Sequence, residues 1–243
     1  MAFTPLPNDD LVHREQLSPN CNDRKLPITM AVVHYTEMVS ADAALERLCD
    51  PDAGVSAHYL IAESGEVIRM VPEEKRAWHA GKSFWRGETD INSASIGIEL
   101  DNLGHADGQP PREFAPAQIA SLIPLLARIV KRYDIARSNV VAHSDIAPQR
   151  KIDPGEMFPW EVLADHGLCL PRPEKLELGD PFDNDGAFFL ALERYGYDIT
   201  DEVKAVEAFQ RRWRPERIDG VIDGQIRAIL FRLLLDRDHG RAR

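Results

Sequence analysis

Short apolar runs separated by polar segments predict five β-strands in the first two-thirds of the chain. The runs are Met30 to Thr36, Ser56 to Ile61, Glu66 to Val71, Ser95 to Leu100 and the segment that leads from Val140 into His143. Runs of this length, bounded by turn residues, are typical of strands. The second and third runs flank Glu63-Ser-Gly65, a turn sequence that predicts a β-hairpin.

Helices are predicted between these strands. Ser40 is a favourable N-cap for a short helix that ends before Pro51. Pro116 suits the first turn of a long helix, and Pro124 inside that helix predicts a kink. The apolar positions of the long helix recur every three or four residues, at Ile119, Leu122, Ile123, Leu126, Ile129, Val130 and Tyr133. Strands that alternate with helices and contain one hairpin predict an α/β fold, a mixed β-sheet flanked by helices.

Four segments are predicted along the chain. Residues 1–28 are polar and rich in proline and are interpreted as an irregular leader, and residues 29–167 are interpreted as the α/β domain. Residues 168–176 contain two prolines and no helical pattern, so we interpret them as a linker. Residues 177–243 contain three helical segments, at 185–195, 201–213 and 224–235, and are predicted to form a small three-helix domain.

Charge and composition argue against several classes of partner and predict the compartment. A net charge of -11 over 243 residues argues against nucleic acid and anionic lipid, both of which are held mainly by Lys and Arg. No segment approaches the roughly 20 apolar residues that span a bilayer, and the first residues lack the basic and apolar regions of an export signal. Cys21, Cys49 and Cys169 are far apart and are predicted to be reduced. These features predict the cytoplasm and leave the oligomeric state open.

Five polar residues at or beyond the predicted strand ends are candidates for chemistry: His34, Glu99, His143, Lys151 and Asp153. Two imidazoles and one carboxylate leave a tetrahedral zinc with one open position for water, as in catalytic zinc sites. Glu99 could act on that water as a general base, and Lys151 could stabilise the oxyanion formed at an amide carbonyl. A histidine at a strand end is also commonly a hydrogen-bonded structural residue, and none of the eight histidines forms an HExxH pair. Spacing alone therefore leaves a zinc site and a structural role both open.

Four motifs follow one another along the chain. They are Val32-Val-His-Tyr-Thr36, Trp78-His-Ala-Gly81, Ser95-Ile-Gly-Ile-Glu-Leu-Asp-Asn102, and Ala142-His143 with Arg150-Lys-Ile-Asp-Pro-Gly155. Together they resemble the zinc-dependent N-acetylmuramoyl-L-alanine amidases of the amidase-2 type, over residues 28–167. The chain departs from that family at residues 144–150, which are inserted between the last two motif elements and leave every functional position in place.

The resemblance implies both a reaction and a role for each candidate. It implies that His34, His143 and Asp153 bind one zinc ion. It also implies that Glu99 is the catalytic base and that Lys151 assists at the carbonyl. The implied reaction is hydrolysis of the amide between muramic acid, including its 1,6-anhydro forms, and L-alanine of the stem peptide. The implied partner is therefore peptidoglycan or a soluble muropeptide.

Further residues are candidate substrate contacts, each with a structural alternative. His79 is predicted to line the substrate groove, and Trp78 or Trp85 to pack on a sugar face or to fill the core. Asn102 is predicted to bond the peptide, or else to end its strand. Arg150 is either the partner of a stem-peptide carboxylate or an exposed structural arginine.

The C-terminal helices resemble a second family. The segment from Val203 to Trp213, followed by Ile218-Asp-Gly-Val-Ile-Asp-Gly224, resembles the three-helix peptidoglycan-binding domain of type 1. This module either binds the cell wall, which makes the periplasm the alternative compartment, or packs on the catalytic domain and shapes its groove. A non-catalytic peptidoglycan receptor on the same fold, and a glycosidase that uses Glu99 with a second carboxylate, are the alternative functions.

Overall fold

The computed structural model describes residues 10–105, 111–174, 176, 182 and 184–238. Parts of all four predicted segments lie outside the described residues: positions 1–9 of the leader, 106–110 of the α/β domain, 175 of the linker, and 177–181, 183 and 239–243 of the C-terminal domain. The strands, in chain order, are β1 (Arg14–Glu15), β2 (Cys21–Asp23), β3 (Met30–Tyr35), β4 (Tyr59–Ile61), β5 (Val67–Arg69), β6 (Lys75–Ala77), β7 (Ser95–Leu100) and β8 (Val140–Ala142). The helices are α1 (Ala41–Cys49), α2 (Ile91–Ala94), α3 (Pro116–Tyr133), α4 (His143–Ile146), α5 (Trp160–Asp165), α6 (Asp185–Tyr195), α7 (Glu202–Trp213) and α8 (Gly224–Asp238).

Six strands form one mixed sheet in the order β1-β5-β4-β7-β3-β8, and β2 pairs with β6 in a separate antiparallel ribbon. β4 and β5 are antiparallel, as the predicted hairpin requires, and the other neighbours in the sheet are parallel. The predicted mixed sheet flanked by helices is confirmed. Because β7, β3 and β8 are parallel neighbours, their carboxyl ends meet at one end of the sheet.

The side chains of β3 alternate between two cores. Ala31 and Val33 pack in the core that contains the buried stripe of α3. Met30 and Val32 point to the opposite face and pack with the apolar residues of α6, α7 and α8. A third cluster places α1 on β4 and β5. His34 follows the same alternation as Met30 and Val32, so its side chain belongs to the face that the C-terminal helices partly cover.

The predicted helices are confirmed. The hydroxyl of Ser40 caps α1 by accepting a hydrogen bond from the amide of Ala43 at 3.2 Å. The helix α3 begins at Pro116 and runs through Pro124, whose side chain is exposed, without ending there. The kink at Pro124 stays a prediction. Within the described part of the chain, no helix is both long and apolar enough to cross a bilayer.

The interpretation of residues 1–28 as an irregular leader is wrong for two short segments. β1 pairs with β5 at the edge of the main sheet, and β2 pairs with β6. Both strands are short and polar, so neither produces an apolar period in the sequence. Between them, the side-chain amide of Asn20 donates to the carbonyls of Asp50 and Val55, both at 2.8 Å. These bonds attach the leader to the loop that follows α1.

The C-terminal helices share a core with the sheet. α6, α7 and α8 occupy the three helical segments expected from the sequence. Phe188 and Phe209 from these helices lie in the same buried cluster as Met30 of β3. Leu168 and Cys169, at the start of the predicted linker, are themselves buried in the core that contains α3. The chain that enters the C-terminal helices is therefore packed against the α/β domain at its beginning.

Candidate active site

Three parallel neighbours bring the candidate residues to the same end of the sheet. His34, near the end of β3, is paired in register with Glu99 of β7. His143 follows directly after β8 and is the first residue of α4. Asp153 and Lys151 lie in the loop beyond α4 and line the same cleft as the two histidines. The five candidate residues of the sequence analysis therefore lie together in one cleft.

The ligand atoms of His34, His143 and Asp153 converge on one point. Their two Nδ1 atoms lie 2.9 Å apart, and Oδ2 of Asp153 lies 3.1 Å from Nδ1 of His34 and 3.0 Å from Nδ1 of His143. In a tetrahedral zinc site with bonds of about 2.0–2.1 Å, neighbouring ligand atoms are separated by about 3.3 Å. All three residues are buried. The triad therefore fits a single metal ion and leaves a tetrahedral ion one position for a further ligand.

The environment of His34 and Asp153 favours the protonation states in which these two residues bind metal. Burial, together with the charge of His143, lowers the pKa of His34 to about 4, so its imidazole is neutral at pH 7. Burial of Asp153 favours its protonated form, but the charges and hydrogen bonds of His143 and His34 outweigh burial and hold the pKa of this carboxyl well below its usual range. A neutral imidazole and an ionised carboxylate are the forms that coordinate a metal ion.

Glu99 and Lys151 complete the lining of this cleft, which has a volume of about 180 Å³. Burial and the negative charge of Asp153 raise the pKa of Glu99 well above its usual value, and Lys151 opposes this shift. The Oε2 atom of Glu99 is buried and has no hydrogen-bond partner among the residues that the structure describes. A buried carboxylate oxygen without a partner, in the same cleft as a metal triad, is available to hold a water molecule or a substrate proton.

The two aromatic candidates of the Trp-His-Ala-Gly motif occupy different positions. Trp78 lines the cleft. His79 also borders it but is 9% exposed, and its ring nitrogens bond to His34 and Ser95 at 3.0 and 3.1 Å. Trp85 is buried in the core shared with the C-terminal helices and fills space there.

The side chains of Asn102 and Arg150 are both hydrogen-bonded to the backbone. The Asn102 side chain accepts from the amide two residues further along at 2.7 Å and donates to the carbonyl of Glu113 at 3.2 Å. It therefore ties the end of β7 to the segment before α3. The Arg150 guanidinium donates to the carbonyls of Lys82, at 2.8 Å, and Ala80. Arg150 thus joins the loop after α4 to the loop after β6, and its contact with a stem-peptide carboxylate stays a prediction.

Sequence reasoning missed two residues on the Glu99 side of β7. Ser95 and Gly97 share that face with Glu99 because side chains alternate along a strand. A Cβ atom at Gly97 would lie 2.4 Å from Cγ of His79, so only glycine leaves room for that ring. The available signal was the spacing of Ser95, Gly97 and Glu99 at every second position of an otherwise apolar strand.

A buried His-His-Asp triad that fits one metal ion shares a cleft with a carboxylate and a lysine at the end of a mixed sheet, and this set of groups is typical of hydrolases. The family model of the N-acetylmuramoyl-L-alanine amidases (Amidase_2) matches residues 24–156, which is more than half of the chain. The chain belongs to this family, and its activity is hydrolysis of the amide bond between N-acetylmuramic acid and L-alanine. The predicted amidase is confirmed, and the receptor and glycosidase alternatives are set aside.

Known relatives cover most of the chain. The amidase AmiD of Escherichia coli (strain K12) is 40% identical over 231 residues, which are 85% of this chain and 82% of AmiD. The structure of E. coli AmiD with the substrate anhydro-N-acetylmuramic acid-L-Ala-D-γ-Glu-L-Lys superposes with a TM-score of 0.79 at 37% identity, over 88% of this chain and 92% of that one. The structure of AmpDh3 of Pseudomonas aeruginosa with anhydromuramic pentapeptide gives a TM-score of 0.76 at 32% identity, over 87% and 92%. The 1,6-anhydro-N-acetylmuramyl-L-alanine amidase AmpD of Enterobacter cloacae is 35% identical over 173 residues, which are 64% of this chain and 88% of AmpD.

Proposed function

We propose that this amidase is a zinc enzyme in which His34, His143 and Asp153 hold the ion. The observation that carries the proposal is the convergence of two imidazole nitrogens and one carboxylate oxygen at 2.9–3.1 Å from one another. Two imidazoles suit zinc better than magnesium or calcium, which take mainly oxygen ligands. Two further roles belong to the same proposal: Glu99 is the general base, and Lys151 stabilises the oxyanion.

The residues of the cleft can carry out amide hydrolysis. When bound, zinc supplies Lewis-acid activation of a water molecule and of the amide carbonyl. Glu99 accepts a proton from the attacking water and passes it to the nitrogen of L-alanine as the carbon–nitrogen bond breaks. Its raised pKa makes it a stronger base than an exposed glutamate. Lys151 donates hydrogen bonds to the carbonyl oxygen while negative charge develops there.

Metal analysis tests the zinc proposal directly. The purified protein should contain one zinc per chain, and a His34→Ala variant should lose it because only two ligands remain. His166→Ala is the matched control, since His166 is exposed and its ring hydrogen-bonds to the carbonyl of Val162, at 2.8 Å, away from the cleft. Removal of the metal by a chelator should abolish release of the peptide from a muropeptide, and added zinc should restore it. Full activity in a protein that contains no metal contradicts the proposal.

We also propose that the natural substrates include soluble 1,6-anhydro-muropeptides, as expected for recycling of peptidoglycan fragments. The support comes from the relatives: AmiD and AmpDh3 have been solved with anhydromuramic peptides, and AmpD is a 1,6-anhydro-N-acetylmuramyl-L-alanine amidase. Side-by-side measurement of kcat/KM on anhydro-muropeptides and on intact sacculi is the test. A rate that is high on sacculi and negligible on the anhydro fragment contradicts this part of the proposal.

We propose that α6, α7 and α8 form part of the catalytic unit rather than an independent peptidoglycan-binding domain. The hydroxyl of Tyr197, between α6 and α7, donates to Oδ1 of Asp145 in α4 at 2.6 Å. The side-chain amide of Gln149 donates to the hydroxyl of Thr200 at 3.1 Å. Together with the shared core, these contacts join the C-terminal helices to the segment that carries His143.

Sedimentation with purified sacculi separates the two roles of the C-terminal helices. The experiment uses a Glu99→Gln variant of the full chain, so that the sacculi are not degraded. Excess anhydro-muropeptide should release this variant from the sacculi if the cleft is its sole binding surface. Sedimentation that survives saturating competitor indicates a second surface for the cell wall and favours the peptidoglycan-binding module.

The compartment is proposed as the cytoplasm, with the periplasm as the alternative. The support is that Cys21, Cys49 and Cys169 are all free thiols, the usual state in a reducing compartment. Fractionation of cells that express the protein at its native level distinguishes the two. Recovery with the periplasmic or envelope fraction contradicts the proposal.

A further inference from the structure

His79 lies behind the metal ligand His34, on the side opposite the proposed ion. The Nδ1 atom of His34 points to the other two ligands, at 2.9 and 3.1 Å, while its Nε2 atom lies 3.0 Å from Nδ1 of His79. The two rings meet edge to face, with centroids 5.0 Å apart. His79 therefore contacts the ligand that holds the ion rather than the position of the ion itself.

The hydrogen bonds of Ser95 determine which nitrogen of His79 and which nitrogen of His34 carries a proton. The hydroxyl of Ser95 lies 2.6 Å from the carbonyl of Ile91, which can only accept, so the single hydroxyl proton lies in that bond. The Nε2 atom of His79, 3.1 Å from the same hydroxyl oxygen, must then be the donor. A neutral His79 with its proton on Nε2 has a bare Nδ1, and this atom accepts the proton on Nε2 of His34.

The consequence falls on the metal-binding atom of His34. A neutral imidazole carries one proton, and in His34 that proton is on Nε2, where it is donated to His79. Nδ1 of His34 therefore presents a lone pair to the position shared with His143 and Asp153. The opposite tautomer would place an N–H at the metal position and could not coordinate an ion.

Two further contacts hold the His79 ring in this position. The ring lies against Gly97 of β7, where a Cβ atom would come within 2.4 Å of it. Oδ1 of Asn92 accepts from the backbone amides of His79 and Ala80, at 3.0 and 2.7 Å. Gly97 therefore provides the space, and Asn92 fixes the backbone, so the ring has little freedom to turn away from His34.

We infer that His79 and Ser95 are positioning residues that select the metal-binding tautomer of His34. They act through a series of hydrogen bonds that runs from Ile91 to Ser95, His79 and His34. The inference rests on the proposed metal site. Partners that orient a metal ligand in this way typically contribute about 10–100-fold to metal affinity. His79 acts through His34 and does not need to touch the substrate.

Substitution of His79 by asparagine or by glutamine tests the roles of its two ring nitrogens one at a time. An asparagine oxygen is as many bonds from Cα as Nδ1 is, so His79→Asn can keep the acceptor for His34 while losing the link to Ser95. A glutamine end group is as many bonds from Cα as Nε2 is, so His79→Gln reaches toward Ser95 and leaves Nε2–H of His34 without its acceptor. Zinc affinity is measured for the full-length apo proteins by competition with a chromophoric chelator. The tautomer of His34 is read in the same apo proteins from long-range ¹H–¹⁵N spectra.

The expected results distinguish this inference from the zinc proposal itself. Zinc affinity should fall about 10–100-fold in His79→Gln and by a smaller factor in His79→Asn, and the Nε2–H tautomer of His34 should be retained in His79→Asn and lost in His79→Gln. Ser95→Ala removes the partner that holds the His79 proton on Nε2, so both neutral tautomers of His79 become accessible. Its loss of zinc affinity should be smaller than that of His79→Gln. Equal affinity of wild type and His79→Gln, or equal losses in the Gln and Asn variants with an unchanged tautomer, overturns the inference. A wild-type protein that binds no zinc overturns the proposed metal site instead.

Discussion

Tyr197→Phe tests whether the C-terminal helices are energetically coupled to the metal loop. The hydroxyl of Tyr197 donates to Oδ1 of Asp145 at 2.6 Å, and both residues are almost completely buried. Oδ2 of Asp145 accepts from the amide of Ala142 at 2.8 Å, which is the residue before His143. The variant removes one oxygen atom and leaves the aromatic ring in the core.

The size of the effect follows from the charge and burial of the acceptor. A hydrogen bond to a charged group contributes about 1.5–3 kcal/mol, and here the carboxylate keeps its second bond. We expect the free energy of unfolding to fall by about 2 kcal/mol, which lowers Tm by about 4–8 °C in a chain of this length. Zinc affinity should fall by about 2–10-fold, less than for a group bonded directly to a metal ligand.

The assay is urea unfolding at a fixed zinc concentration, because a ligand that binds the native state changes the apparent stability. Tyr133→Phe is the matched control. The hydroxyl of Tyr133 also donates to a buried carboxylate, Oε2 of Glu73 at 2.7 Å, but Glu73 has other donors and none of these residues lines the cleft. This control should lose about 1 kcal/mol with unchanged zinc affinity. A Tyr197→Phe protein as stable as wild type, or one whose zinc affinity matches the control, refutes the coupling.

Three further outcomes are expected. Glu99→Gln should lower kcat by about 10²–10⁴-fold while zinc content stays at the wild-type level, and activity above a tenth of wild type contradicts its role as the base. Removal of zinc should lower Tm as well as activity, because the triad then holds two imidazoles and a carboxylate together without a cation; an unchanged melting curve argues against bound metal in the native protein. Stability should also fall in mild acid: burial, with the charge of Arg24, lowers the pKa of His58 to about 3, so the unfolded chain binds a proton near pH 6.5 that the folded chain refuses. This difference removes about 2 kcal/mol between pH 7 and pH 5, and His58→Gln should reduce the loss of stability over this range, measured by urea unfolding, by that amount.

The strands and helices with a clear apolar period could be predicted from the sequence. Met30 to Tyr35 and Ser95 to Leu100 are mainly apolar, as expected for strands that are buried on both faces. The metal triad was also accessible, since His34 and His143 both end apolar runs and the carboxyl ends of parallel strands meet. What the sequence supplied was the order of the polar residues at the strand ends; their convergence to about 3 Å required the fold.

Two kinds of feature could not be predicted from periodicity. β1 and β2 are edge or ribbon strands of two and three polar residues, and their pairing depends on partners that are 52 to 56 residues away in the chain. The contact of His79 with His34 depends on the loop after β6 folding back over the sheet. The sequence records this contact only as a glycine at position 97, where a side chain would clash with His79. That glycine can be interpreted only when the residue packed against it is known.

The C-terminal helices pack on the segment between His143 and Lys151. Residues 144–150 form most of α4 and the turn after it. This segment supplies Asp145, which accepts from Tyr197, and Gln149, which donates to Thr200. Its buried residue Ile146 lies in the core shared with α6, α7 and α8. Residues 144–150 are therefore a surface on which the C-terminal helices pack, and the residues on either side of them, His143 and Lys151, line the cleft. A change in the position of these helices would be transmitted to His143 and Lys151 through covalently adjacent residues, without the helices themselves binding the cell wall.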